Sequence, residues 1–264
     1  MELSCPTSWR ELTQEQLRYV LFLLATFADP VVVKTYMFIR FAGIYLIEKN
    51  RWGWKCSKGG RVFYLEPWQI HSFLGQLQFV DSLETMDNRL EVVQGLKAVN
   101  ALLQEDAETG RIVSFHEYLC MEQRYQRYLA NRDEDQIDIL ASFLYRRADG
   151  SRPADLTLTA AERVGVLAWF GHVKYVMSYA FPHLFRKSKG DDDTSDLSVI
   201  ESINVQLRAL TDGDVTKEAA VKAVDCWRAL TELDVKAKEI GKLPNTYYST
   251  FQDTFNCFAY EQFR

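Results

Sequence analysis

The chain has 264 residues, with 31 Lys+Arg against 36 Asp+Glu and a formal net charge of -5. That balance argues against a dedicated binder of duplex nucleic acid, because no cationic excess exists to replace the counterions released from phosphate. Hydrophobic residues at 47% and charged residues at 25% lie in the ordinary globular range and exclude wholesale disorder.

Near the start, the uncharged apolar run from Tyr19 to Ala28 is cut short by Asp29, Pro30 and Lys34. A bilayer span needs roughly 20 apolar residues, so this reads as a pair of buried helices and not as an anchor. The opening Met1-Glu2-Leu3-Ser4 lacks the basic lead of an export signal. Cys5, Cys56, Cys120, Cys226 and Cys257 are odd in number, widely spaced and without a Cys-x-x-Cys, which suits a reducing cytoplasm better than a disulfide framework.

Thr13-Gln14-Glu15-Gln16 is a capping box, with Leu12 and Leu17 placed as its hydrophobic staple. Asp29-Pro30 ends that helix and begins a second, expected over about residues 31–47, apolar nearly all round and central to the core. Trp52, Trp54 and Cys56 then alternate with smaller and polar residues before Ser57-Lys58-Gly59-Gly60, and Arg61 to Leu65 supplies a second strand. One small hairpin is predicted at about 52–65, with its tryptophans buried against helices. Glu66-Pro67 reopens helix.

Residues 81–111 are hard to read; the spacing of Val92, Leu96, Val99 and Leu103 predicts a helix, against Gly95 and the Glu108-Thr109-Gly110 turn. Ser114 to Glu117 is another capping box, stapled by Val113 and Tyr118, and opens a helix to about Ala130. Asp133 to Gln136 starts a helix that turns Ile137, Leu140 and Leu144 inward and ends near Arg146-Arg147. Thr159 to Glu162 starts one that Pro182 stops. The charged stretch 188–196 reads as a linker between a domain of residues 1–187 and a helical region of 197–264. In that region a helix is expected over 197–210 and a single longer one over about 217–240. The fold class is therefore mainly α, a multi-helix globular domain with one small β-hairpin and a helical C-terminal part.

His116 and Cys120 lie four residues apart on one helix face, but no second ligand pair accompanies them, so no metal site is expected. Asp212, Asp214 and Glu218 form a fragment of a calcium-loop pattern that reads better as a helix-capping turn. Phosphate-loop, dinucleotide and serine-elbow motifs are absent, and no catalytic residue or cofactor is predicted. Arg124, Arg127, Arg132, Arg146, Arg147 and Arg152 cluster near Tyr125, Tyr128 and Tyr145, the one stretch suited to an acidic ligand or single-stranded nucleic acid. Glu122, Asp133, Glu134, Asp135 and Asp138 lie among them and favour intrachain pairing. Tyr248, Phe251, Phe255 and Phe258 fall at i, i+3, i+7 and i+10, an aromatic stripe that must cover the Trp227 face or meet another chain, a partner or a second copy.

The segment Leu3-Ser4-Cys5-Pro6-Thr7-Ser8-Trp9-Arg10-Glu11-Leu12-Thr13-Gln14-Glu15-Gln16-Leu17 resembles the start of uncharacterised proteins of Bacteroidetes phages and prophage-like elements. Those proteins often begin with Pro-x-Ser-Trp-x-x-Leu-Thr-x-x-Gln-Leu. Phe115-His116-Glu117-Tyr118, Leu144-Tyr145-Arg146-Arg147 and Phe181-Pro182-His183-Leu184-Phe185 are similar to the middle of that group, so the likeness extends over about residues 3–185. It implies a non-enzymatic assembly or structural factor, such as a tail-assembly chaperone, in the host cytoplasm or the virion, with another phage structural or tail protein as partner. The alternatives are an enzyme whose site is assembled from distant residues and an accessory nucleic-acid binder using the arginines between Arg124 and Arg152.

Overall fold

The computed structural model describes residues 3–185 and 196–240. The protein is mainly α: among the described residues, nine α-helices surround two small three-stranded antiparallel sheets. The predicted linker over 188–196, apart from its last residue Asp196, which is helical, and the stripe of Tyr248, Phe251, Phe255 and Phe258 lie outside the described residues.

Helix starts follow the local signals. α1 (Gln14–Thr26) is opened by the Thr13–Gln16 box, with Leu12 and Leu17 both buried. α2 (Pro30–Phe41) begins where Asp29 accepts from the Val31 N–H at 2.8 Å. The helix expected to reach residue 47 stops at Phe41 instead. Gly43 takes φ +64°, a left-handed conformation that costs glycine little. There the Gly43 N–H donates to Arg40 and the Ile44 N–H to Ile39, a Schellman ending.

The chain then runs into a meander of β1 (Tyr45–Asn50), β2 (Gly53–Lys58) and β3 (Arg61–Leu65), so the predicted hairpin has a third strand. Gly59 and Gly60 make its two-residue turn as expected. The other turn, between Asn50 and Gly53, holds Trp52 in solvent. Of the two tryptophans expected to be buried, only Trp54 is. The inner face of this sheet presents Trp54, Cys56 and Leu65 toward α2 and α3 (Pro67–Gln76). Phe38 lies 6.1 Å from the Trp54 ring and stacks on Phe73 at 4.7 Å.

Residues 81–111 form no α-helix. Short 3-10 turns lead to β4 (Val92–Val93) and β5 (Leu96–Ala98), joined at Gln94-Gly95, both with positive φ. β6 (Tyr145–Arg146) completes this sheet, which a helical spacing of Val92 and Leu96 could not reveal. α4 (Phe115–Asn131), α5 (Asp135–Leu144) and α6 (Ala160–Ala180) start close to where the sequence placed them, α4 and α6 on complete capping boxes. The central helix is α6, not α2. It buries Val164, Val166, Leu167, Trp169, Phe170, Val173 and Met177, residues that point in every direction around its axis, whereas Val31 and Tyr36 of α2 are exposed.

α7 (Asp196–Thr211), α8 (Glu218–Lys222) and α9 (Cys226–Ile240) follow. The single long helix expected over 217–240 is broken between α8 and α9 because the chain there pairs with residues 113–115. The Phe115 N–H donates to Val224 at 2.7 Å and the Cys226 N–H to Val113 at 2.9 Å. α9 joins the core through buried Cys226, Leu230 and Leu233. The Trp227 indole N–H donates to the Leu102 carbonyl at 2.6 Å, and its ring meets Phe181 at 5.2 Å. Asp234 accepts from the His183 and Leu184 N–H groups. Among the described residues no helix is long and apolar enough to cross a membrane.

Candidate functional site

The outer face of the β1–β3 sheet is the most chemically distinctive surface. In the register, Tyr45, Ser57 and Val62 form one outward row and Glu48, Lys55 and Tyr64 the next. Ile47 is the bulged residue between them. Trp52 sits at the tip of the β1–β2 turn, where the Asn50 side chain accepts from the Trp52 N–H at 2.9 Å. Trp68 opens α3 at the same end of the sheet, since Gly53 lies directly against the backbone of Leu65 and Glu66. Tyr45 is 76% exposed, Trp52 72%, Tyr64 68% and Trp68 66%, and Val62 and Ile47 are more than half exposed. Aromatic side chains dominate interface energetics, and a cluster of this kind left in water marks a binding surface.

Cations accompany the rings. The Arg51 guanidinium stands 4.6 Å from the Trp52 ring and the Lys55 ammonium 5.9 Å from Tyr64, while on the inner side the Lys49 ammonium lies 5.7 Å from Trp54. The Trp68 indole N–H donates to the Glu66 carboxylate at 2.7 Å, which pins one edge of that ring.

Sequence reasoning missed this face. Period-2 alternation divides strands into two faces, but Tyr45, Val62 and Tyr64 on one side and Leu46, Trp54, Cys56 and Phe63 on the other are both apolar. Only packing against α2 and α3 decides which is wet.

The arginine cluster has a different character. Its tyrosines Tyr125, Tyr128 and Tyr145 are core residues, almost wholly buried, so they offer no stacking surface. Burial also pushes the Tyr125, Tyr128 and Tyr145 hydroxyls up in pKa. The cations are engaged within the chain. Arg124 donates to Gln136 at 3.1 Å, Arg146 pairs with Glu117 at 2.5 Å, and Arg147 donates to the Arg152 carbonyl at 2.8 Å. Arg152 lies over the Phe143 ring at 3.3 Å, Arg132 beside Tyr128 at 5.7 Å, and Arg127 also has a partner.

Arg146 and Arg147 do share a polar cleft of about 670 Å³ with Lys97, Arg111, Asp106, Glu117 and Asp149. Its loop is built on Asp106, which accepts from the Glu108 and Thr109 N–H groups and is held well below its ordinary pKa by the Thr109 bonds. His116 Nε2 and Cys120 Sγ are 3.8 Å apart, and burial raises the Cys120 thiol. Among the described residues, no three His, Cys, Asp or Glu side chains are grouped to hold a metal ion. Asp214 caps the turn before α8 by accepting from the Thr216 N–H, and Asp212 pairs with Lys236 at 2.6 Å, so these acids serve as turn and ion-pair residues.

No family model, curated protein or solved structure matches the chain.

Proposed function

We propose that the chain is a non-enzymatic binding factor of a phage or prophage assembly system, and that its working surface is the outer face of the β1–β3 sheet. The observation that carries this reading is the retention of Tyr45, Trp52, Tyr64 and Trp68 in solvent around one small sheet whose opposite face packs Trp54, Cys56 and Leu65 into the core. The assembly setting rests on the resemblance of residues 3–185 to phage-encoded proteins, which implies the host cytoplasm or the virion.

An enzyme would have its seat in the cleft beside Glu117 and Arg146. That reading has less support, because Glu117 is spent on Arg146 and Ser114, Asp149 on Ser151, and Asp106 on its own loop.

The test is site-specific photo-crosslinking in cells that carry the intact element. With p-benzoylphenylalanine in place of Tyr64, a defined adduct is expected. The same group in place of Tyr179, which is equally exposed on α6, should give none. Adducts from position 179 and none from 64 would move the working surface elsewhere. A structural or tail protein in the adduct would identify the partner that the phage resemblance implies.

A further inference from the structure

Although the chain carries -5 overall, residues 45–68 hold Lys49, Arg51, Lys55, Lys58 and Arg61 against Glu48 and Glu66, three net positive charges. The other 240 residues therefore carry -8. Lys49, Lys58 and Arg61 share the side of Trp54 and Cys56, and Arg51 and Lys55 stand at the outer face with Glu48 and Glu66, so the positive excess belongs to the sheet as a whole and raises the local concentration of anions around it. Arg51 lies against the Trp52 ring and Lys55 against the Tyr64 ring, with Glu48 opposite Lys55 in the register.

Tyr45 and Tyr64 stand in adjacent outward rows on β1 and β3, two strands apart, which separates them by about 10 Å across the sheet. Trp52 and Trp68 extend the series of rings past the end of the sheet. A set of exposed rings, each open on one face and interleaved with cations, is the arrangement that stacks unpaired bases while neutralising the phosphates between them.

We propose that this face binds single-stranded nucleic acid, with bases stacked on Tyr45, Tyr64 and Trp52 and phosphates met by Arg51 and Lys55. The proposal rests on the reading of this sheet as the working surface and adds the class of ligand. A folded partner would have to bury Lys55 and the opposing Glu48 at the centre of the contact, where protein interfaces are depleted of charge, so the structural or tail protein that the phage resemblance implies is the other outcome of the test. A duplex also fits less well. Its bases are already stacked on one another, so it gains the phosphate contacts and forgoes the rings.

The experiment uses the full chain and fluorescein-labelled oligo-dT, oligo-rU and a mixed-sequence duplex of about 20 nucleotides, longer than the roughly 4–16 that one single-strand-binding fold covers. Fluorescence anisotropy is read at several salt concentrations. The expected result is binding of at least one single strand more tightly than the duplex, and the dT and rU arms report which sugar is preferred. Tyr45→Ala with Tyr64→Ala should weaken single-strand binding at least about tenfold. Tyr64→Phe, which keeps the ring, should bind like the parent. Lys55→Gln should flatten the salt dependence by about 0.7 in slope, the value for one phosphate contact on a single strand.

Because Tyr45 and Tyr64 are solvent-exposed, these variants are expected to keep the parent circular dichroism and melting temperature. Absence of single-strand binding at low salt, equal affinity for the duplex, or indifference to the double substitution would each overturn the proposal. If the oligonucleotides fail while photo-crosslinking at position 64 still captures a protein, the ligand class falls and the working surface stands. If both fail, both readings fall.

Discussion

Glu122 of α4 and Lys174 of α6 form an ion pair in which both side chains are more than nine-tenths buried. Gln126 donates to the same Glu122 oxygen at 2.8 Å, and the Lys174 ammonium also lies 5.2 Å from the Tyr125 ring. The second Glu122 oxygen is buried without a hydrogen-bond partner. Removing one charge from such a pair strands the other in a medium that cannot solvate it. Lys174→Met is expected to cost about 3–5 kcal/mol in urea denaturation, and Lys174→Met with Glu122→Leu to recover most of it. A single variant as stable as the parent would show that water reaches the pair.

Glu117 provides a pH dependence. Burial alone would raise its pKa, but the Arg146 guanidinium at 2.5 Å and the Ser114 N–H and hydroxyl outweigh that effect and hold the carboxyl below its ordinary 4.5. With the folded value below the unfolded one, the unfolded chain takes up the proton first as pH falls. The stabilisation is therefore complete above the unfolded pKa and is lost as pH falls through the folded one. Between about pH 6 and about pH 3 the parent should lose more stability than Glu117→Gln, which starts lower and has no charge there to titrate. Parallel urea-midpoint curves for the two proteins would refute this.

Two glycines of similar sequence appearance should respond in opposite directions. A side chain on Gly165 of α6 would meet Leu21 Cδ1 of α1 at 2.8 Å and Leu90 Cδ1 at 3.5 Å, whereas one on Gly75 of α3 would meet nothing within 4 Å. Gly165→Val is expected to destabilise by about 1–3 kcal/mol through overpacking. Gly75→Ala is expected to stabilise by about 0.4–1 kcal/mol, since it lowers the entropy of the unfolded chain without a clash. Thermal melts of the two variants beside the parent check both signs.

Burial also governs the thiols. It pushes Cys226 far up and Cys5 to about 11, and Cys56 and Cys226 are almost wholly enclosed. Because the thiolate is the reactive form, iodoacetamide at about pH 8 should leave Cys56 and Cys226 unmodified in the native protein and alkylate both in urea. Site-resolved mass spectrometry reads this directly, and rapid native labelling of Cys226 would mean that the junction of α9 with residues 113–115 opens easily.

Much of the helical framework was legible because its signals are local. Thr13 with Gln16, Ser114 with Glu117, and Thr159 with Glu162 each satisfy the first N–H groups of a helix from within four residues, so no distant neighbour has to be known. The Gly59-Gly60 turn and the Glu66-Pro67 helix start are of the same kind.

Composition and short-range chemistry by themselves determined that this chain is a mainly helical protein, where α1, α4 and α6 begin, and where one strand turn falls. Tertiary structure alone decided which side of the β1–β3 sheet meets water, because both sides are apolar and only α2 and α3 select the buried one. It also brought Glu122 to Lys174 across 52 residues and interrupted the last long helix at Val224, because the Val224 carbonyl accepts from the Phe115 N–H and the Cys226 N–H donates to Val113, bonds that helical spacing cannot announce.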